Sequence, residues 1–276
     1  AQPGIPFNKI DISGVDIELV RSVTVSDLYG FMVYCKEELR NNTATRARKT
    51  STLRLFFKYM SVQTHRLDSN PADLLEAPKI KQSLPKYLSL EDSLELLNSV
   101  DGENGRRDYC ILTIFLNCGL RLSELCGLDL SDISSDGTMT VTGKGNKERM
   151  VYLNDSCKTA IKRYLEVRPH EGLPADSKNA LFISRNRKRI SPRTVEHIVT
   201  SYIKKAGLDG RGLSTHKLRH TAATLMYRHG HVDIRVLKDI LGHANLGTTQ
   251  IYTHVSDTQI KAAIDANPLS EVKSKK

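Results

Sequence analysis

The sequence predicts a mainly α-helical chain with one small antiparallel β-sheet, an α+β fold in two domains. Three observations carry that expectation. Apolar residues recur at helical spacing from about residue 24 to 75, and again over most of the chain after Asn154. Between Asp132 and Leu153 the period changes to two. The stretch from Ala77 to Pro85 carries two prolines and no clean period, which reads as a linker.

In the first domain, a helix is expected from an N-cap near Thr24 or Ser26 towards Arg40. A second spans about Ala44 to Val62, with Leu53, Phe56, Phe57 and Met60 as its apolar stripe. Asn70-Pro71 opens a short helical turn, whereas residues 1–23 look too short and irregular to add helices. The second domain opens with a helix capped by Ser89, with Asp92 placed like the far side of a capping box. An apolar helix follows from about Arg106 to Cys118, stops at Gly119, and leads into a short helix carrying Arg121 and Glu124. Asp136-Gly137 then turns into a strand over Thr138–Thr142, and Gly143–Asn146 turns again into Arg149–Leu153. That hairpin has Lys144 at its tip. Further helices are expected over Cys157–Val167, Ser191–Ala206, Thr215–Arg228, Asp233–Leu241, about Thr248–His254, and Asp257–Ala266. One short strand is expected over Leu181–Ser184. The domain limits are therefore 1–76, a linker over 77–86, a second domain over 87–266, and a flexible basic tail over 267–276.

A chain of 276 residues with 39% hydrophobic content has room for a sizeable core. No apolar run approaches the ~20 residues of a membrane helix, and Ala1–Ile12 lacks the apolar core of a secretory signal. The expectation is a soluble, cytoplasmic protein with no membrane association. The five cysteines (Cys35, Cys110, Cys118, Cys126, Cys157) include no C-x-x-C pair and read as reduced core thiols. The formal net charge of +10 is unevenly spread. Arg46, Arg48, Lys49, Arg54, Lys58 and Arg66 fall in a stretch without acids, as do Arg185, Arg187, Lys188, Arg189 and Arg193. These are either two solvated faces or two tracks for a polyanion, since single-sign stretches repel themselves unless neutralised. On the second reading Arg46, Arg48, Lys49, Arg54 and Lys58, with the 185–193 group, contact DNA.

Breaking a phosphodiester requires stabilised non-bridging oxygens, a nucleophile, and a proton for the leaving oxygen. The chain offers Arg121, then His216-Lys217-Leu218-Arg219, then Leu241-Gly242-His243, then Tyr252. Guanidinium groups stay charged at any working pH and match phosphate oxygens with planar, forked donors. Arg219 lies one turn beyond His216, so one helix face can present both. Taken alone, Arg121 reads as a structural ion pair with Glu124; in combination with the others it reads as a phosphate clamp. A phenol is a poor nucleophile near neutrality unless cations or a base assist it, which the arginines and histidines beside Tyr252 would do. Lys144 could reach a leaving 5′-oxygen as a general acid. The histidines lack an H-E-x-x-H frame and no Walker-type phosphate loop exists, so neither a metal nor a nucleotide cofactor is expected.

The motifs G-L-R-L-S-E-L (119–125), T-G-K-G-N-K-E-R (142–149), H-K-L-R-H-T-A-A-T (216–224), L-G-H (241–243) and T-T-Q-I-Y-T-H (248–254) resemble the tyrosine recombinase (phage integrase) family, most closely its Xer-like group. The resemblance covers about residues 84–266, with a looser match over 24–82. It implies a helical core-binding domain and a catalytic domain that clamp double-stranded DNA. Arg121, His216 and Arg219 would bind and polarise the scissile phosphate, His243 would hydrogen-bond it, and Glu124 would buttress Arg121. Lys144 would protonate the leaving 5′-hydroxyl, and Tyr252 would form a 3′-phosphotyrosine that a second 5′-hydroxyl attacks, passing through a Holliday junction. It further implies a dimer on each site and four protomers on two sites, as a homotetramer or with a paralogue, in a cytoplasmic, nucleoid-associated protein. Biologically this would be dimer resolution or movement of a mobile element.

One departure stands out: relatives carry four or more helices before the linker, and about two are well marked here, so either the N-terminal region is truncated or that domain is reduced. Two other readings remain in view: relaxation of single duplexes by type IB topoisomerase chemistry, and a non-catalytic DNA-binding accessory protein.

Overall fold

Side chains that accept the first unpaired backbone N–H groups decide where most helices of this chain begin. The computed structural model describes residues 10–80, 86–143, 145–229 and 233–242. The chain divides into two units, residues 1–83 and 84–276.

In the first unit α1 (Ile17–Arg21) starts at Asp16, whose carboxylate accepts the Leu19 N–H. α2 (Val25–Glu37) starts at Thr24 in a full capping box with Asp27. α3 (Thr43–Lys58) starts at Asn42 and continues into a π-helical turn, Tyr59–Gln63. The stretch before residue 23 thus holds a helix after all; a single turn is too short to display an apolar period. Leu28, Phe57, Met60, Leu67, Ala72 and Leu75 form the core of this unit, with Leu53 packed against it. The expected stripe on α3 needs one correction, since Phe56 is 43% exposed. Phe57 holds the inward position, and the neighbouring residue is turned about 100° away from it.

The second unit contains α4 (Leu90–Asn98), α5 (Gly105–Cys118) and α6 (Leu122–Gly127), followed by the strands β1 (Thr138–Thr142) and β2 (Glu148–Tyr152). Then come α7 (Asp155–Leu165), α8 (Pro192–Lys205), α9 (Thr215–His229) and α10 (Ile234–Leu241). α4 begins in the Ser89/Asp92 capping box. α5 is the central element: Cys110, Ile111, Leu112, Ile114 and Phe115 are fully buried, and it packs against both α7 and α9. β1 and β2 pair antiparallel with Val141 opposite Arg149. Met139, Val141 and Val151 turn inwards.

The strand expected over Leu181–Ser184 does not form. The segment makes only isolated bridges, Asp129 with Ala180 and Ile183 with Arg189. Arg168, buried to 3% exposure, supplies donors in place of a neighbouring strand, reaching the carbonyls of Lys178, Ala180 and Leu181. All five cysteines are free and buried. Cys110 and Cys118 lie on α5 and Cys126 on α6, so the eight-residue spacing of these three in the sequence does not mark one helix face. Among the described residues no helix is long and apolar enough to cross a membrane. The helices expected over 248–254 and 257–266, and the basic tail, lie outside the described residues.

Between α5 and α6 the chain must reverse within a few residues. Gly119 does this with φ of 60°, and a Cβ there would stand 2.9 Å from Leu241 Cδ2 on α10. Gly119→Ala combines a left-handed backbone with overpacking, and is expected to lower stability by roughly 2 kcal/mol. A urea midpoint equal to that of the parent protein would contradict this account.

Candidate active site

Arg121 is the N-cap of α6. Its backbone N–H donates to Glu124 Oε2 (2.8 Å) and its Nη1 donates to Oε1 (2.6 Å). From β2, Arg149 forks onto the same carboxylate, Nη1 to Oε1 and Nη2 to Oε2, each at 2.9 Å. Arg219 Nη1 stands 3.7 Å from Oε2. Three guanidinium groups therefore surround one carboxylate whose side chain is 1% exposed. Burial alone would raise the Glu124 carboxyl, but hydrogen bonds and charge from Arg149 and Arg121 outweigh it and hold the group down at about 2.

The same three arginines close the end of α10. Arg149 Nε donates to the Ile240 carbonyl (3.1 Å), Arg219 Nη2 to that of Leu241 (2.6 Å), and Arg121 Nη2 to that of Gly242 (2.9 Å). Arg219 Nη1 also donates to the Gly119 carbonyl (2.7 Å). A helix C-terminus presents unpaired carbonyls and a partial negative charge, so cations belong there.

In the first turn of α9, His216 Nε2 lies 3.0 Å from His220 Nε2, so one ring donates and the other accepts. Desolvation first, then repulsion by Lys217, Arg219 and Arg121, pushes His216 below its ordinary 6.5. A cleft of about 400 Å³ is lined by Arg121, Ser123, Thr215, His216 and Arg219, with Leu120, Leu122 and Pro192 as its apolar wall. Its floor is cationic, and Arg121, with a 37% exposed side chain, retains part of its donor set for an incoming anion.

Arg121, His216 and Arg219 thus meet in one cleft, with Glu124 behind them. Lys144, His243 and Tyr252 lie outside the described residues. On α3, Arg48, Arg54 and Lys58 are exposed. Arg46 and Lys49 are half-buried, and Lys49 stands over the Phe31 ring at 5.4 Å. Arg185, Arg187, Lys188 and Arg193 are exposed, and Arg187 donates to the Glu171 carbonyl (2.7 Å). Arg189, which the sequence offers with its neighbours as a DNA contact, has partners within the protein. It pairs with Asp129 and donates to the carbonyls of Cys126, Gly127 and Leu128, so it braces the C-terminal end of α6. Among the described residues no three histidine, cysteine, aspartate or glutamate side chains are grouped to hold a metal ion.

Sequence reasoning missed Arg149. The signal was available, because in β2 it shares the inward face with buried Val151, and a charged residue there needs a buried partner.

The model of the phage integrase family matches residues 86–259. The chain belongs to this family, in its Xer-like group of tyrosine recombinases. It is 52% identical over 267 residues to tyrosine recombinase XerC of Caldanaerobacter subterraneus subsp. tengcongensis, covering 97% of this chain and 75% of that one. Tyrosine recombinase XerD of Proteus mirabilis is 39% identical over 243 residues, covering 87% of this chain and 77% of its own. Among solved structures, XerH bound to a palindromic difH substrate superposes with a TM-score of 0.74 at 24% identity, over 90% of this chain and 73% of that one, a likeness of fold.

The Glu124 value sets a pH dependence for this recombinase. A folded carboxyl held at about 2, against an ordinary 4.5, stabilises the fold fully above 4.5 and loses that contribution as pH falls towards 2. The stability gap between the parent protein and Glu124→Gln is therefore expected to narrow by roughly 2 kcal/mol between about pH 5 and about pH 3. Urea unfolding across that range measures it, and a gap independent of pH would refute the ion cluster as its source.

Proposed function

We propose that this chain acts as a site-specific DNA recombinase, cleaving and rejoining strands through a 3′-phosphotyrosine intermediate and a Holliday junction. The observation that carries the reading is the single cleft shared by Arg121, His216 and Arg219, backed by Glu124. Arg121 and Arg219 hold the non-bridging oxygens of the scissile phosphate and stabilise the charge that builds up on them. His216, whose imidazole is lowered by burial and by the neighbouring cations, hydrogen-bonds the same phosphate, as does His243.

Tyr252 gives up its phenolic proton to a base in the cleft and attacks phosphorus through that oxygen as the bond to the 5′-oxygen breaks, and Lys144 gives the leaving oxygen its proton. A 5′-hydroxyl of the exchanged strand then attacks the phosphotyrosine and frees the phenol. One ester replaces another at each step, so the reaction needs no nucleotide and no metal. Residues 1–76 form a core-binding domain and residues 87–266 the catalytic domain, and both contact the duplex. Arg46, Arg48, Lys49, Arg54 and Lys58, with Arg185, Arg187, Lys188 and Arg193, neutralise backbone phosphates. Two protomers occupy each site and four complete the exchange, as a homotetramer or with a paralogue, on the cytoplasmic, nucleoid-associated chromosome.

The test uses nicked suicide duplexes built on the sequence that the protein selects from a randomised duplex pool. A covalent protein–DNA adduct is expected with the parent protein and not with Tyr252→Phe, as read on denaturing gels. An adduct that survives in Tyr252→Phe would dismiss that nucleophile. Arg121→Ala and Arg219→Ala are each expected to slow adduct formation by a factor on the order of 10²–10³, matching about 3–4 kcal/mol of lost transition-state stabilisation. Rates within tenfold of the parent would remove those roles.

A further inference from the structure

We propose that Arg149 is a positioning residue for strand cleavage, holding Arg121 and the end of α10 in register with the scissile phosphate. The proposal rests on the recombinase reading above and adds a residue to it. Arg149 is 14% exposed at its side chain and does not line the cleft, so it acts through its neighbours rather than on DNA.

Its bonds show how. Glu124 Oε1 accepts from Arg121 Nη1 at 2.6 Å and from Arg149 Nη1 at 2.9 Å. Oε2 accepts from the Arg121 N–H at 2.8 Å and from Arg149 Nη2 at 2.9 Å. The forked pair from Arg149 fixes the plane of the carboxylate, and that plane fixes where Arg121 points. Meanwhile Arg149 Nε holds the Ile240 carbonyl at 3.1 Å. A Cβ placed on Gly242 would come within 3.1 to 3.2 Å of Arg149 Cδ, Nε and Nη1, so the helix end lies directly against this side chain. The Gly242 carbonyl in turn accepts from Arg121. One guanidinium on β2 therefore sets two anchors of Arg121, the carboxylate and the end of α10.

Lysine keeps the charge but cannot fork onto a carboxylate while also reaching a carbonyl. A displacement of Arg121 by about 1 Å is enough to cost on the order of a hundredfold in rate.

The experiment compares Arg149→Lys with the parent on the selected suicide duplex, at saturating protein and well below the melting temperature. Arg149→Lys is expected to bind the duplex within about threefold of the parent, while adduct formation slows by about a hundredfold. On an Arg121→Lys background the same change is expected to add less than about threefold, because the two arginines act as one unit. A cleavage rate within about threefold of the parent, or the full factor persisting on the Arg121→Lys background, overturns the proposal. If Arg149→Lys does not fold, the paired change Glu124→Gln with Arg149→Gln replaces the ion pair by two amides and is expected to show the same split. Failure of both to fold would make Arg149 a structural strut and overturn the proposal. A parent protein that forms no adduct refutes the recombinase reading itself, whereas a normal parent with an unslowed Arg149→Lys refutes this inference alone.

Discussion

Three consecutive carbonyls at the end of α10 are each held by a different arginine, and all three arginines converge on Glu124. Two unfavourable features satisfy each other here. A buried carboxylate is costly without partners, and a helix terminus leaves carbonyls exposed with partial negative charge. Cations from α6, β2 and α9 settle both at once. The cluster thereby ties together segments that are up to about 120 residues apart in the chain, Arg121 to Gly242 being separated by 121 positions.

That arrangement suits an anion-binding cleft. The guanidinium groups are already fixed before any phosphate arrives, so little reorganisation remains for the moment of reaction. Arg219 is buried to 3% exposure and forms part of the floor, whereas Arg121 and His216 stand at the open side. Burial first, and then the charges of Lys217, Arg219 and Arg121, lower the His216 imidazole below its ordinary value. Stability and chemistry therefore draw on the same groups, and a substitution at Glu124 or Arg149 touches both.

Much of the fold was legible because its signals are local. The Thr24/Asp27 and Ser89/Asp92 boxes, the stop at Gly119 and the two-period hairpin each lie within a few residues. Where the sequence misled, the deciding contact came from elsewhere. Leu181–Ser184 looked like a strand, yet its backbone bonds are scattered over Leu128, Lys188 and Ile190 and the side chains of Arg168 and Tyr164. Phe56 looked like core, yet the phase of α3 against its neighbours buries Phe57. Arg189 read only as one cation of a basic stretch, and its ion pair with Asp129, 60 residues away, was not legible there.

The candidate site divides along the same line. Residue type and motif spacing pointed to Arg121, His216 and Arg219, and the resemblance to the tyrosine recombinases added Glu124 behind Arg121. Linear order carries no information about distance, so nothing in it placed Arg121 and Arg219 on the Glu124 carboxylate and the end of α10, with His216 in the same cleft. Arg149 shows this most plainly. As a letter in a strand it is one basic residue among many, and its importance comes from folding β2 against α6 and α10, where a charge removed from water must find its counter-charges.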